Sequence, residues 1–482
     1  MRYSSCLFIV VLFLFSCHAK PSSSQDTASS NATLQSPRIH LKSLAKGIVI
    51  DSVICSDDPS QIYSVYLPTR YDSSKKWPII YFFDPHGVGN LPVILYKELA
   101  EKYGFILAGT YNSKNGMPWE STEKVAHTFV QDTRGRLSVD NNRLYTFGFS
   151  GGAIVASMVA MKEVGIAGVV ACGGSMPAEH SSLKQPFSYI SFIGDKDFHY
   201  MPAMQLDRLL DSASLAHQLI VFNGKHQWPP ISSIEKAFQW LDADAMRTKA
   251  IPENDSIVKS IKEKLMAEAE NWHRKGNTVQ EYYTYKKLVN FLQGLDNMSL
   301  YTDKIKQMGK SEALRKFTAN EQVQKMAEMQ ELDDFRAHLS QMDQTWWNDK
   351  VAAMRKSIQR DSVSSEALQT QRMLGYLSLA MYMGASGELN EHNYQAAAYF
   401  VGLYALVDPK NPEHSYLSAC LAMTNHNSTE ALKMLQDAVK LGFSDSKRLQ
   451  NDSNFVSLHS VPEYEKLLQE ITSKPKRTDM TQ

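Results

Sequence analysis

From about residue 45 to residue 244 the chain alternates short apolar runs with helix-length segments, and that rhythm confines it to few folds. The runs are "SVYLP" (64–68), "WPIIYFFDP" (77–85), "GFILAGTYN" (104–112), "RLYTFGFS" (143–150), "GIAGVVACGG" (165–174), "FSYISFIGD" (187–195) and "HQLIVFNGK" (217–225). Each is bounded by turn residues, as strands are. Helical stretches lie between them at 92–103, 121–135, 152–163, 202–213 and 232–243. Strands separated by such crossovers run parallel, and a parallel sheet needs helices on both faces. The expected body is an α/β domain over 45–245, with a mostly parallel sheet.

The rhythm stops at "DADAMRTKAIPENDS". A linker is expected over 246–255, and an all-α domain over 256–482. Ile257, Ile261, Leu265, Ala269 and Trp272 mark one face of its first helix. Further on, Ala397, Val401 and Tyr404 recur 34 residues later as Ala431, Leu435 and Ala438, with Asp408-Pro409 closing the first unit. That period resembles tetratricopeptide repeats, although the tryptophan and glycine of their first helix are missing. A generic helical bundle is the alternative. A repeat unit cannot bury its apolar face alone, so these helices should pack on one another or on the α/β body.

At the N-terminus, Arg2 precedes an apolar stretch from Leu7 to Phe15, too short to span a bilayer. Residues 1–16 read as an export signal. Leu14-Phe15-Ser16-Cys17 resembles the lipobox of bacterial lipoproteins, which implies cleavage before Cys17 and lipidation of that residue. A plain secretory signal is the alternative. Residues 17–44, rich in serine, then form a tether, and the resemblance places the protein at a bacterial cell envelope with a membrane contact through lipid.

Basic and acidic residues number 51 each, so the chain offers no electrostatic footprint for nucleic acid. Beyond Cys6 and Cys17, the thiols are Cys55, Cys172 and Cys420, spaced too widely for a metal motif. A Cys55–Cys172 disulfide and a set of buried free thiols are both open. Neither ligand clusters nor a phosphate-binding glycine loop appear, so no metal or organic cofactor is expected.

Gly148-Phe149-Ser150-Gly151-Gly152 fits G-x-S-x-G and falls where a strand run meets a helical run. A serine raised on a strained strand-to-helix turn needs small neighbours, and its hydroxyl is a poor nucleophile without an oriented base. In such sites acid and base follow the nucleophile along the chain. "FIGDKDFHY" supplies Asp195 and Asp197, and "VFNGKHQWPP" supplies His226, each just after an apolar run.

The segment from about 60 to 240 resembles the α/β-hydrolase superfamily. It is similar to bacterial polyhydroxybutyrate depolymerases and feruloyl esterases, which carry G-x-S-x-G-G, G-x-x-D and G-x-H-x-W-P. The last two read Gly194 to Asp197 and Gly224 to Pro229 here, while Ala153 stands where the first would end in glycine. The resemblance implies Ser150 as nucleophile, Asp197 as acid and His226 as base; Asp195 is the rival acid, and the loser is expected to cap the next helix. It also implies oxyanion donors at the amides of Gly151 and, in "DPHGVGN", of Val88. Asp84-Pro85 departs from the family there, which more often has an apolar residue before His-Gly. Trp119, Phe149 and Trp228, with Tyr111, are expected to line the substrate pocket. His86, His127, His199 and His217 are expected to be structural or solvated.

The function so implied is a serine esterase that cleaves a small-molecule or polysaccharide-linked ester. A serine peptidase of prolyl oligopeptidase type would use the same residues. A third reading is an envelope scaffold, with a protein partner at the helical domain.

Overall fold

The computed structural model describes residues 44–177, 187–212 and 215–473. The signal segment, Cys17 and residues 18–43 lie outside the described residues. Eight strands form one sheet: β1 (Val49–Ile54), β2 (Ile62–Tyr66), β3 (Trp77–Phe83), β4 (Ile106–Thr110), β5 (Val139–Phe149), β6 (Ile166–Cys172), β7 (Ser188–Gly194) and β8 (His217–Phe222). Their order is β1-β2-β4-β3-β5-β6-β7-β8. The pairs β1–β2 and β2–β4 are antiparallel, and every other pair is parallel. This is the mostly parallel α/β sheet that the alternating sequence implies.

Strand side chains alternate between two layers, as a pleated backbone requires. On β3, Ile80 and Phe82 face one layer, with α1 (Asn90–Tyr103) and α5 (Ile231–Arg247). Ile79, Tyr81 and Phe83 face the other, with α2 (Trp119–Arg136), α3 (Gly151–Lys162) and α4 (Tyr200–Ser212). Both faces are covered, which is why the central strands β3 and β6 carry apolar residues on both faces. The α3 helix is buried along most of its length, so it carries apolar residues all round rather than one stripe.

Asn254 caps α6 (Asp255–Arg274), its side chain accepting the amides of Ser256 and Ile257. The core does not divide at this connection. Val258, Ile261, Leu265 and Ala269 of α6, with Leu288, Phe291 and Leu292 of α7 (Thr278–Leu292), belong to the same apolar layer as Trp240 of α5. Each such side chain fully removed from water contributes about 1.5–3 kcal/mol. The α7 helix also covers the free edge of β8, where Asn290 Nδ2 donates to the His217 carbonyl at 3.1 Å.

The rest of the chain is helical: α8 (Ser299–Met308), α9 (Glu312–Gln341), α10 (Gln344–Arg360), α11 (Ser365–Asn390), α12 (Tyr394–Val407), α13 (Pro412–Thr424), α14 (Ser428–Leu441), α15 (Ser446–Asn451) and α16 (Pro462–Ser473). One core joins α9 to α13 around Trp347 and Met381, and another joins α13 to α16 around Tyr416 and Tyr464.

Cys55, Cys172 and Cys420 are free and buried, so the Cys55–Cys172 pairing is not formed. The two residues lie on opposite layers of the sheet.

Candidate active site

Strand β5 ends at Phe149 and α3 begins at Gly151, leaving Ser150 alone to turn the chain. Its backbone sits at φ 53°, ψ −124°, outside the regions an L-residue prefers. Such a residue costs about 1–3 kcal/mol and persists only where its surroundings hold it. Here the Ser150 amide donates to the Cys172 carbonyl on β6 at 2.8 Å, and its own carbonyl accepts from Ala153 at 2.9 Å. The flanking glycines are required by close approach. A Cβ on Gly148 would fall on the Gly152 carbonyl, and one on Gly152 would fall on the Phe83 carbonyl of β3.

Three distant segments meet at this turn. His226 Nε2 lies 2.9 Å from Ser150 Oγ, and His226 Nδ1 lies 2.9 Å from Asp197 Oδ2. Asp197 is 1% exposed, and its Oδ1 accepts the amide of His199 at 2.9 Å. Burial alone would raise this carboxyl, but the charge and hydrogen bond of His226, with His199, hold it below its ordinary range. An ionised Asp197 accepts from Nδ1–H, which leaves Nε2 free to accept the serine proton. The imidazole is held between two rings, Phe149 at 4.7 Å and Phe198 at 4.5 Å between centroids.

The rival acid has another task. Asp195 Oδ1 accepts the Gly224 amide at 3.0 Å, bracing the loop that carries His226 rather than capping a helix. Of the remaining histidines, His127 bonds Glu163, and His217 bonds the Leu215 carbonyl. His86 lies exposed near Asp84. His199 stands 5.4 Å from His226 between ring centroids, and burial pushes its pKa down to about 4 even though Asp197 pulls it up.

Three pocket and donor expectations change. The Val88 amide donates to Asp84 Oδ1 at 3.1 Å, and so does the His86 amide at 2.9 Å. Asp84 thus takes the hydrogen that an oxyanion would need. Trp228 is 4% exposed, packs against Phe82, Tyr96, Phe147 and Phe149, and gives its Nε1–H to Asp84 Oδ2 at 3.3 Å. Phe149 is 3% exposed. Both rings are core beneath the imidazole, not a surface that substrate meets. Trp119 starts α2 and is half-buried against the second layer, and Tyr111 bonds Asp51. Gly151 has no backbone or side-chain acceptor for its amide among the described residues. Sequence reading missed Phe198, whose only signal is its place directly after the acid.

Among the described residues, two groups have the atoms to hold a cation. Asp197, His199 and His226 are one, but a cation there would take the nitrogen or oxygen that orients the base. Asp207, Asp211 and His217 are the other; Lys286 Nζ already sits 2.8 Å from Asp211 Oδ2. Asp207, Asp211 and Lys286 border a cleft of about 170 Å³ between α4 and α7, apart from the serine.

No family model matches the sequence, and no curated protein matches it. Solved structures do. An S-formylglutathione hydrolase from Staphylococcus aureus aligns at 14% identity and a TM-score of 0.34, over 41% of this chain and 98% of that one. A ferulic acid esterase aligns at 16% identity and a TM-score of 0.34, with 41% and 98% covered. The dipeptidyl peptidase 4 of Porphyromonas gingivalis aligns at 12% and 0.32, over 40% of this chain and 34% of that one. All three align to less than half of this chain.

Proposed function

We propose that the protein is a serine hydrolase that cleaves carboxylic esters through an acyl-enzyme on Ser150. One observation carries this: the continuous line from Ser150 Oγ through His226 to Asp197, with both links at 2.9 Å, on a serine held at φ 53°. His226 Nε2 takes the hydroxyl proton as Oγ attacks the carbonyl carbon, and returns it to the departing alcohol. The imidazolium formed in between is stabilised by Asp197. The Gly151 amide, at the N-terminal end of α3, faces the negative charge growing on the carbonyl oxygen. Water then repeats the sequence to release the acid.

Ser150→Ala is expected to abolish turnover of nitrophenyl acetate and butyrate while the circular dichroism spectrum is unchanged. Turnover equal to the parent protein would reject the proposal. Dipeptidyl nitroanilides assayed alongside separate an esterase from a peptidase.

An ester carried on a polysaccharide, and a lipid anchor at Cys17 in a bacterial envelope, belong to the same reading. Their support is the N-terminal sequence. Among the described residues, no helix is long and apolar enough to cross a membrane. The tetratricopeptide resemblance is supported by the turns that precede α12 and α14. His392 and His426, also 34 residues apart, both take positive φ, at 60° and 55°. A protein partner at the helical region is favoured by Val323, Met326 and Met329, exposed along α9. Capture experiments for it need the whole chain, because a fragment starting near residue 252 would bare the apolar faces of α6 and α7.

A further inference from the structure

The diverted Val88 amide leaves the oxyanion with one identified donor, Gly151, whereas acyl transfer of this kind uses at least two. A second polar group stands beside Gly151. In the loop between β4 and α2, Asn115 lays its side-chain amide over the Gly151 Cα. A Cβ at Gly151 would fall on Asn115 Oδ1, with Cγ 2.8 Å and Nδ2 3.2 Å away. The loop is tied down there, since the Asn115 amide donates to the Pro85 carbonyl at 2.8 Å. The Asn115 residue is exposed, so the amide adjoins the open side of the elbow.

We propose that Asn115 is the second oxyanion donor of this site, replacing the backbone amide that Asp84 has engaged. The proposal rests on the serine-hydrolase reading. Turning the amide about its Cβ–Cγ bond exchanges Oδ1 for Nδ2 and places an N–H donor beside Gly151. Oxygen and nitrogen of an amide are distinguished only by their partners, and an oxyanion selects the nitrogen. The glycine at the variable position between Ser150 and Gly152 follows from the same contact: any side chain at position 151 would displace Asn115.

The test compares the full-length parent protein, Ser150→Ala, Asn115→Ala and Asn115→Asp on nitrophenyl acetate. Circular dichroism and the melting temperature monitor folding. Loss of one oxyanion donor lowers kcat by about 10²–10³-fold. Asn115→Ala is expected to show that loss with KM within about threefold, and Asn115→Asp to lose at least as much, because a carboxylate opposes the forming anion. A fluorophosphonate probe reports separately on the nucleophile. If the parent protein is labelled at Ser150 and turns over, but Asn115→Ala keeps kcat within about threefold, the Asn115 role is overturned and the hydrolase reading stands. A parent protein that neither labels nor turns over overturns both.

Discussion

A serine at φ 53° is strained backbone, and the residues around Ser150 show what retains it. Gly148 and Gly152 admit carbonyls that a methyl would exclude, and the Cys172 carbonyl holds the amide. Close approach of this kind is legible in sequence as a cluster of glycines. The meeting of Ser150, His226 and Asp197 was legible for a related reason: Asp197 and His226 each follow an apolar strand, and strand ends gather at one edge of a parallel sheet. The proposed oxyanion donors were not. Asp84 overrides the expected Val88 donor through its side chain, and Asn115 is one exposed polar residue among several in its loop. Burial also sets the behaviour of Asp242 on α5. It pushes the carboxyl from its ordinary 3.8 up to about 7, against the pull of Arg143 and Arg70. The folded protein therefore keeps a proton that the unfolded chain releases near pH 4. Stability from this group is complete below about pH 4 and is lost as pH rises through about 7. Asp242→Asn should melt higher than the parent at about pH 8 and close to it at about pH 4, as thermal scans at both values would show.

Among the elements, the parallel strands were legible because burial on both faces writes them as unbroken apolar runs. Strand β1 was not. Its sequence VIDSVI has three exposed positions, Asp51, Ser52 and Ile54, and its register with β2 slips between Ile50 and Val53. It is an edge strand with a bulge, and neither an alternating nor a continuous pattern survives that irregularity. Helix limits fell within a few residues where punctuation is strong: Pro118 and Pro230 precede α2 and α5, and Gly104 ends α1. Ala397 and Ala431, which carry the 34-residue spacing, are both fully buried. Within α12, by contrast, Gly402 is exposed, and a Cβ there would meet nothing within 4 Å. A helix-interior glycine costs about 0.8–1 kcal/mol relative to alanine. Gly402→Ala should therefore raise stability by roughly 0.5–1 kcal/mol, read as a higher midpoint in urea with activity unchanged.

For the whole molecule, a division between catalytic body and helical appendage does not describe the packing. Helices α6 and α7 complete one layer of the sheet, and α11 reaches the loop that carries Asp197, the acid of the proposed mechanism. Arg372 of α11 is 2% exposed; its Nε donates to Glu328 Oε1 of α9 at 2.9 Å, and its Nη1 donates to the Asp195 carbonyl at 3.2 Å. The guanidinium also lies over the Tyr200 ring at 4.9 Å. Tyr376, one turn further along α11, meets Phe198, which in turn faces the imidazole of His226. A buried pair of this kind adds little compared with apolar residues of equal size, but breaking it strands a charge. Burial already raises the Glu328 carboxyl despite Arg372, so the loss of the guanidinium leaves that group to protonate or to draw in water. Arg372→Ala should cost about 3–5 kcal/mol, measured by urea denaturation followed through tryptophan fluorescence. Pairing Arg372→Met with Glu328→Leu should restore most of that loss, because neither charge is then left buried. Because the Asp195 carbonyl loses its donor in both variants, kcat for nitrophenyl acetate should fall in both, whether or not stability returns. A single variant within about 1 kcal/mol of the parent, with kcat unaltered, would show that α11 and the acid loop are not coupled through this residue.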